Sequence, residues 1–162
     1  MKLPAVGDEL PPWTMEFVDP ARMKTMAAIL RDPYPLHWDR AGNDLIGLGP
    51  RVVNQGPLNL SYIANMLMCW AGSASIRRLT VSFGSPVLDG DRVTARGVVT
   101  ALAERDGETI ANCDVWLERE GRHVVTGQAI VAIAAHRAAV SEQQPTAPTR
   151  PPTDKRHEGS TR

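Results

Sequence analysis

Apolar and polar residues alternate with a period of two through most of the second half of the chain. Four segments show this alternation: 77–83, 91–102, 109–120 and 123–133. Alternation over such lengths predicts β-strands that bury one face. The segments LDGD, RDGE and REGR lie between them, and each contains a glycine suited to a tight turn. The pattern therefore predicts a meander of long antiparallel strands.

The first half contains two segments with a helical period. In the first, DPARMKTMAAILRD (19–32), Asp19 can cap a helix and Pro20 fits its first position. One apolar stripe runs along it: Met23, Met26, Ala27 and Leu30. Because Pro33 disfavours a helical conformation for the residue before it, we expect the helix to end there.

The second helical segment, GPLNLSYIANMLMCWAG (56–72), is apolar on nearly every side. Pro57 stands at its start and Gly72 follows its end, as is usual for helix termini. A helix of this kind is predicted to be buried almost all round. One buried helix beside one antiparallel sheet implies an α+β fold in which the sheet wraps around the helix.

Composition and charge exclude several classes of partner. The 162 residues contain 18 Lys and Arg and 18 Asp and Glu, which gives no electrostatic reason to expect nucleic acid. No apolar run is long enough to span a bilayer and no signal peptide is recognised, so we predict no membrane association. Cys69 and Cys113 both lie in apolar runs and are interpreted as core residues of a cytoplasmic protein.

The chain is predicted to hold one domain, residues 1–135, followed by a disordered tail, 136–162. The last 26 residues contain four prolines and almost no large apolar side chain. Such a segment buries too little apolar surface to offset the entropy of ordering.

A loop of about twenty residues joins the two helices and contains the stretch DPYPLHWD (32–39). Its Asp32 and His37 are five residues apart, and the two prolines between them restrict the backbone enough to direct both side chains into one cleft. Taken alone, this spacing is better explained by a solvated helix-end residue and an ordinary loop histidine than by a catalytic pair.

Three stretches resemble the MaoC-like dehydratases of the hotdog fold, a group that includes (R)-specific enoyl-CoA hydratases. They are DPYPLHWD (32–39), RVVNQGPL (51–58) and VSFGSPVLDGDRVTARGVV (81–99), and VTGQAIVAI (125–133) is similar to the final strand of the family. The resemblance runs from about residue 7 to residue 133. It implies a hotdog fold and a hydro-lyase that adds water reversibly to a 2-enoyl thioester.

The resemblance also implies roles for individual residues. Asp32 and His37 would form the acid/base pair, and the Gly56 N–H, at the positive end of the buried helix, would bind the thioester oxygen. Pro57 has no N–H to contribute. Side chains assigned to the thioester or acyl surface are Asn54, Gln55 and Tyr34. We predict no metal and no cofactor, since an acyl-CoA is the expected substrate, and a dimer or larger assembly.

The sequence departs from the family pattern at three places. Gln55 stands where His is common and Pro57 where an apolar residue such as Met is common, while Ala64 replaces a frequent serine. These differences concern the choice of acyl group more than the reaction.

Two other functions are consistent with the same fold. A hotdog thioesterase would need an attacking group on the central helix, commonly an acid, but residues 57–72 contain neither Asp nor Glu. The chain would alternatively be an acyl-binding or structural subunit of a heteromeric hydratase. The presence of both Asp32 and His37 argues against that second alternative without excluding it.

Overall fold

The alternating segments form one five-stranded antiparallel sheet. A computed structural model describes residues 3–133 of the chain. Its strands are β1 (Trp13–Met15), β2 (Ile76–Phe83), β3 (Val93–Arg105), β4 (Glu108–Arg119) and β5 (Arg122–Ile133). They lie in the order β1-β3-β4-β5-β2, so the four predicted strands are confirmed and a short fifth strand completes one edge.

Two of the predicted turns connect neighbouring strands. Asp106 and Gly107 join β3 to β4, and Glu120 and Gly121 join β4 to β5. All four residues have positive φ values, between 50° and 77°. Two consecutive residues in this conformation match the twist of the adjoining strands, which explains the long and regular hairpins.

The third predicted turn, LDGD (88–91), does not form a hairpin. Strand β2 pairs with β5, at the far side of the sheet from β3, so the predicted meander is wrong at this point. The chain therefore crosses from one edge of the sheet towards the other between β2 and β3. Sequence periodicity identifies strands but carries no information about which strands become neighbours.

Three α-helices precede or separate the strands: α1 (Pro20–Leu30), α2 (Arg40–Leu45) and α3 (Gly56–Ala71). The carboxylate of Asp19 accepts a hydrogen bond of 2.8 Å from the Ala21 N–H, which confirms the predicted cap of α1. The sequence did not predict α2, because it contains Gly42 and Asn43, which are poor helix formers. A 3₁₀ turn, Pro35–His37, lies between α1 and α2.

Helix α3 packs against all five strands. Its side chains Ile63, Met66 and Leu67 are completely buried, as is Leu117 on β4. The predicted α+β fold, with the sheet around a central helix, is confirmed.

Some residues expected in the core lie at the surface. Cys69 is exposed, whereas Cys113 is buried as predicted. Leu30 is 45% exposed although Met23, on the same predicted stripe of α1, is fully buried. Helix α3 is covered on one side by the sheet, while Ala64 and Met68 on its other side remain partly exposed. The prediction that α3 is buried almost all round is therefore wrong for the single chain.

No helix between residues 3 and 133 has the length and apolar character needed to cross a membrane. The predicted disordered tail, 136–162, lies outside the described residues.

Gly127 on β5 provides a test of how closely β2 and β5 approach. A Cβ atom at this position would overlap the carbonyl oxygen of Thr80 and lie 2.9 Å from a methyl group of Val81. We expect Gly127→Ala to lower the free energy of unfolding by about 1–3 kcal/mol, because the strands must separate to make room. Urea denaturation measures the change.

Gly84 supplies the matched control, because a Cβ atom there would meet its nearest atom, the Val124 oxygen, at an ordinary distance of 3.6 Å. Gly84→Ala is expected to change stability by less than about 0.5 kcal/mol. Equal effects of the two substitutions would contradict the close approach of β2 and β5.

Candidate active site

Asp32 is held at the C-terminal end of α1 by the geometry of the helix end. Arg31 adopts a left-handed conformation (φ 53°, ψ 41°), and its N–H donates to the Ala28 carbonyl. The Asp32 N–H donates to the Ala27 carbonyl at 2.9 Å. This pair of bonds is a Schellman motif, which ends the helix and fixes the backbone of the residue that follows. One carboxylate oxygen of Asp32 accepts a bond of 3.1 Å from the Tyr34 N–H.

His37 is oriented by one short hydrogen bond. Its Nδ1 lies 2.7 Å from the carbonyl oxygen of Val53. Because a carbonyl only accepts hydrogen bonds, Nδ1 carries the proton and Nε2 of the neutral ring is free to accept one. Nε2 therefore has the electronic form that a general base needs.

The structure brings Asp32 and His37 together. His37 Nε2 lies 3.6 Å from Asp32 Oδ2, and the two side chains are 12% and 33% exposed. This separation is too long for a direct hydrogen bond, so both atoms retain capacity to bind a third group between or beside them. The ring of Tyr34 meets the His37 ring edge to face, with centroids 6.3 Å apart.

The carbonyl that orients His37 belongs to a segment fixed by several polar contacts. The Val53 N–H donates to the Leu36 carbonyl at 3.0 Å, which connects this segment to the turn that carries His37. The preceding N–H, that of Val52, donates at 2.7 Å to the buried carboxylate of Asp89. The acceptor of His37 is therefore fixed from two sides.

Asn43 provides a third connection. It is 2% exposed, and its side-chain nitrogen donates to the carbonyl oxygens of Leu36 and Arg51, each at 2.9 Å. One amide group thus joins the two backbone segments that carry His37 and its acceptor. The sequence gives no signal for this role, because Asn43 stands in a Gly-rich stretch that was predicted to be a loop, where asparagine is common.

Ion pairs attach the connection between α1 and α3 to the loop before β3, and through that loop to the sheet. Arg40 pairs with Asp89 at 2.5 Å, and Arg51 pairs with Asp91 at 2.6 Å. Asp91 also pairs with Arg119 on β4, at 2.9 Å. The pattern LDGD predicts a turn, and it carries no signal that its two carboxylates support the site.

Within the first turn of α3, Gly56 is the residue with a free N–H. The N–H groups of Leu58 and Asn59 donate to the Gln55 carbonyl at 3.0 and 3.1 Å, and Pro57 has none. Among residues 3–133 the Gly56 N–H has no acceptor. The positive end of the helix dipole adds to the attraction of this N–H for a negatively charged oxygen.

Phe83 covers Gly56. A Cβ atom at position 56 would lie 3.2 Å from Cζ of the Phe83 ring, closer than most side-chain contacts. Phe83 is 55% exposed and ends the edge strand β2. Glycine at position 56 therefore lets an aromatic ring lie directly against the start of α3.

Asn54 and Gln55 lie in the interior, 3% and 1% exposed. The Asn54 side chain donates to Asn59 at 2.7 Å, and the Gln55 side chain donates to the Met23 carbonyl on α1 at 2.8 Å. Their side-chain N–H groups thus bond within the protein and hold α3 to its neighbours. Their predicted contact with the thioester stays a prediction.

Residues 3–133 contain no group of three His, Cys, Asp or Glu side chains arranged to hold a metal ion. The expectation of a cofactor-free reaction stays a prediction.

Comparison with known proteins identifies relatives of this chain. The sequence model of the family described as MaoC like domain matches residues 8–118, more than half of the chain. Among curated proteins no sequence match is found.

Three solved structures show the same fold over most of the chain. The (R)-hydratase from A. caviae involved in PHA biosynthesis is 31% identical with a TM-score of 0.71, covering 83% of this chain and 100% of that one. The ChsH1-ChsH2 complex from Mycobacterium tuberculosis is 22% identical with a TM-score of 0.68, and the match covers 82% of this chain and 100% of that one. The C-terminally truncated HadBC (3R-hydroxyacyl-ACP dehydratase) complex from the same organism is 16% identical with a TM-score of 0.59, covering 82% and 99%. The predicted hotdog fold is confirmed.

The pKa of Asp91 yields a prediction about acid stability. Burial acts to raise this pKa, but hydrogen bonds from the Leu88 N–H, Arg51 and Arg119 outweigh it and lower the pKa below its usual value. A lowered folded-state pKa stabilises the protein above the unfolded pKa of about 3.9, and the stabilisation is lost as the pH falls through the folded pKa. At pH 7, Asp91→Asn should lower the free energy of unfolding by about 1.5–3 kcal/mol, and the deficit should shrink below about pH 4.

Urea denaturation at pH 7, 5 and 3.5 measures the difference between wild type and variant. The control is Asp44→Asn, since Asp44 is exposed and forms no ion pair among the described residues. A deficit that stays constant down to pH 3.5 would refute the role assigned to the Asp91 ion pairs.

Proposed function

The chain belongs to the MaoC-like dehydratase family, and we propose that it catalyses reversible hydration of 2-enoyl thioesters, with enoyl-CoA as the expected substrate. The observation that carries this proposal is the relation of His37 Nε2 to Asp32 Oδ2, 3.6 Å apart and partly open to solvent. The fixed protonation of His37 at Nδ1 supports it further.

In the proposed reaction, a water molecule bound by Asp32 and His37 attacks Cβ of the substrate. The O–H bond of the water breaks and its proton passes to the pair. The π electrons of the double bond move towards the thioester, which forms an enolate. The pair then returns a proton to Cα, so that no net proton is taken up or released. Dehydration follows the same steps in reverse.

The Gly56 N–H is the proposed donor to the enolate oxygen. An N–H fixed at a helix start needs no rearrangement when negative charge develops on the oxygen, and it therefore stabilises the transition state more than the substrate. Leu58 is a weaker candidate, because its N–H already donates to the Gln55 carbonyl.

We further propose that the functional unit contains at least two hotdog chains. One edge of β2 has no neighbouring strand among the described residues, and α3, which contacts β2, leaves one face partly exposed. A second copy placed along β2 would pair this edge and cover that face. The ChsH1-ChsH2 and HadBC structures are complexes of two kinds of chain, which keeps a heteromer as the alternative.

Loss of either member of the pair should abolish most of the hydration activity. We expect Asp32→Asn and His37→Gln each to lower kcat by about 10²-fold or more, because each removes a proton acceptor from the water site. Loss of enoyl absorbance from short, medium and bulky enoyl-CoA substrates, measured with the purified protein alone, gives the rate.

Free thiol is measured in the same reactions. Thiol release would identify a thioesterase, and inactivity until a second hotdog chain is added would identify a heteromeric subunit. Rates near wild type in both variants would eliminate Asp32 and His37 as the acid/base pair.

The role of the Gly56 N–H is tested by replacing the residue with proline, which removes this donor. Proline is favoured at the first position of a helix, and Gln55 before it is already extended (φ −62°, ψ 145°), as a residue preceding proline must be. We expect kcat to fall about 10²-fold or more relative to Gly56→Ala.

Gly56→Ala is the matched control, because it retains the N–H while introducing the same Cβ beside Phe83. Thermal unfolding verifies that both variants fold. Equal kcat values for the alanine and proline variants would show that this N–H does not stabilise the transition state.

A further inference from the structure

Arg31 adopts a backbone conformation that disfavours its own residue type. Its φ of 53° lies in the left-handed region, where a Cβ atom is strained and where glycine or asparagine usually ends a helix. The other non-glycine residues with positive φ among those described, Asp106 and Glu120, occupy hairpin turns directly before a glycine. Glycine adopts this conformation without strain, so the turn itself does not favour arginine at position 31.

The guanidinium of Arg31 has no carboxylate or carbonyl partner among residues 3–133. Six other arginines in this part of the chain do pair with a carboxylate: Arg40, Arg51, Arg77, Arg92, Arg96 and Arg119. Arg31 is exposed and lies next to Asp32 in sequence. An uncompensated positive charge is therefore present beside the candidate acid/base pair.

Arg31 and Asp32 both line an open, shallow cleft of about 420 Å³. The remaining wall is apolar and consists of Ala27, Ala28, Pro33 and Trp38. The indole N–H of Trp38 donates to the Pro33 carbonyl at 3.3 Å, so its ring carbons remain available for contact with a ligand. Such a cleft suits a ligand with an apolar chain and one negatively charged end.

We propose that Arg31 binds an anionic oxygen group of the substrate, either a carboxylate on the acyl group or a phosphate of the thioester carrier. This proposal rests on the proposed function, because it assumes that a thioester occupies the site at Asp32. A guanidinium binds carboxylate and phosphate groups through two parallel N–H bonds, which lysine cannot reproduce. The negative charge of Asp32 would repel the anion and so direct it to the Arg31 end of the cleft.

Of the two possible anionic groups, the acyl carboxylate and the carrier phosphate, the position of Arg31 favours the acyl carboxylate. Arg31 and Asp32 line the same cleft, so an anionic group bound at Arg31 lies in the cleft that holds the carboxylate proposed to react. The phosphates of CoA are separated from the thioester by the whole pantetheine arm. A substrate with a second carboxylate on its acyl group would place its charge nearer to Arg31.

Binding of saturated thioesters, which the reaction does not consume, tests the proposal by calorimetry. The four probes are butyryl-CoA, glutaryl-CoA and the corresponding N-acetylcysteamine thioesters, which lack phosphate. Arg31→Asn removes the charge but tolerates the left-handed conformation, and Arg31→Lys retains the charge without the planar fork. Arg122→Gln, at an exposed arginine with no ion pair among the described residues, controls for net charge.

Arg31→Asn is expected to weaken binding of at least one class of probe by about 10-fold or more, with partial recovery in Arg31→Lys and no change in Arg122→Gln. Weaker binding of both glutaryl probes alone identifies the acyl carboxylate. Weaker binding of both CoA probes alone identifies the phosphate. Thermal unfolding of Arg31→Asn at or above the wild-type temperature separates these losses from misfolding.

Wild-type affinity of Arg31→Asn for all four probes would overturn the proposal, and a lowered unfolding temperature would overturn the premise that arginine is unfavourable at this position. If the wild type binds a probe in an Arg31-dependent manner yet hydrates no enoyl thioester, the proposed reaction fails while the assignment of Arg31 stands. If it binds none of the probes, the assignment of Arg31 fails, whereas the proposed reaction is still decided by the hydration assay.

Discussion

The burial of α3 against the sheet is the contact on which the rest of the structure depends. Its apolar side chains are covered by strands that are distant in sequence. This burial fixes the position of the helix, and so of its first residue, relative to the sheet. The start of α3 is also the location of the free Gly56 N–H. Apolar burial has no directional preference. Because the helix is rigid along its length, this burial nevertheless determines where the Gly56 N–H lies and in which direction it points.

The connection between α1 and α3 is stabilised in a different way. Residues 31–55 contain few buried apolar side chains, and polar groups hold them in place instead: the amide of Asn43 and the carboxylates of Asp89 and Asp91. Hydrogen bonds constrain distance and direction more tightly than apolar contacts do. This difference matters for His37, whose ring position depends on a single carbonyl oxygen.

Much of the fold followed from the sequence, because the side chains of strands and helices repeat with fixed periods. The four long strands, the cap at Asp19 and the two hairpin turns depend on neighbouring residues alone. The position of β2 beside β5, the partly exposed face of α3 and the supports at Asn43 and Asp89 depend on contacts between distant residues. For the site, the motif identified Asp32 and His37 as a pair. The acceptor that sets the protonation of His37 is the backbone carbonyl of Val53, and a sequence motif, which consists of side chains, does not reveal it.

Phe83 connects the state of assembly with the chemistry proposed at Gly56. This ring lies on the first residue of α3, is more than half exposed, and ends the strand whose outer edge is proposed to join a second chain. In a separated chain, more than half of this ring is exposed, so a second chain along this edge would restrict its motion beside the Gly56 N–H. The proposed activity would then depend on the concentration of the chain itself, without any separate regulatory site.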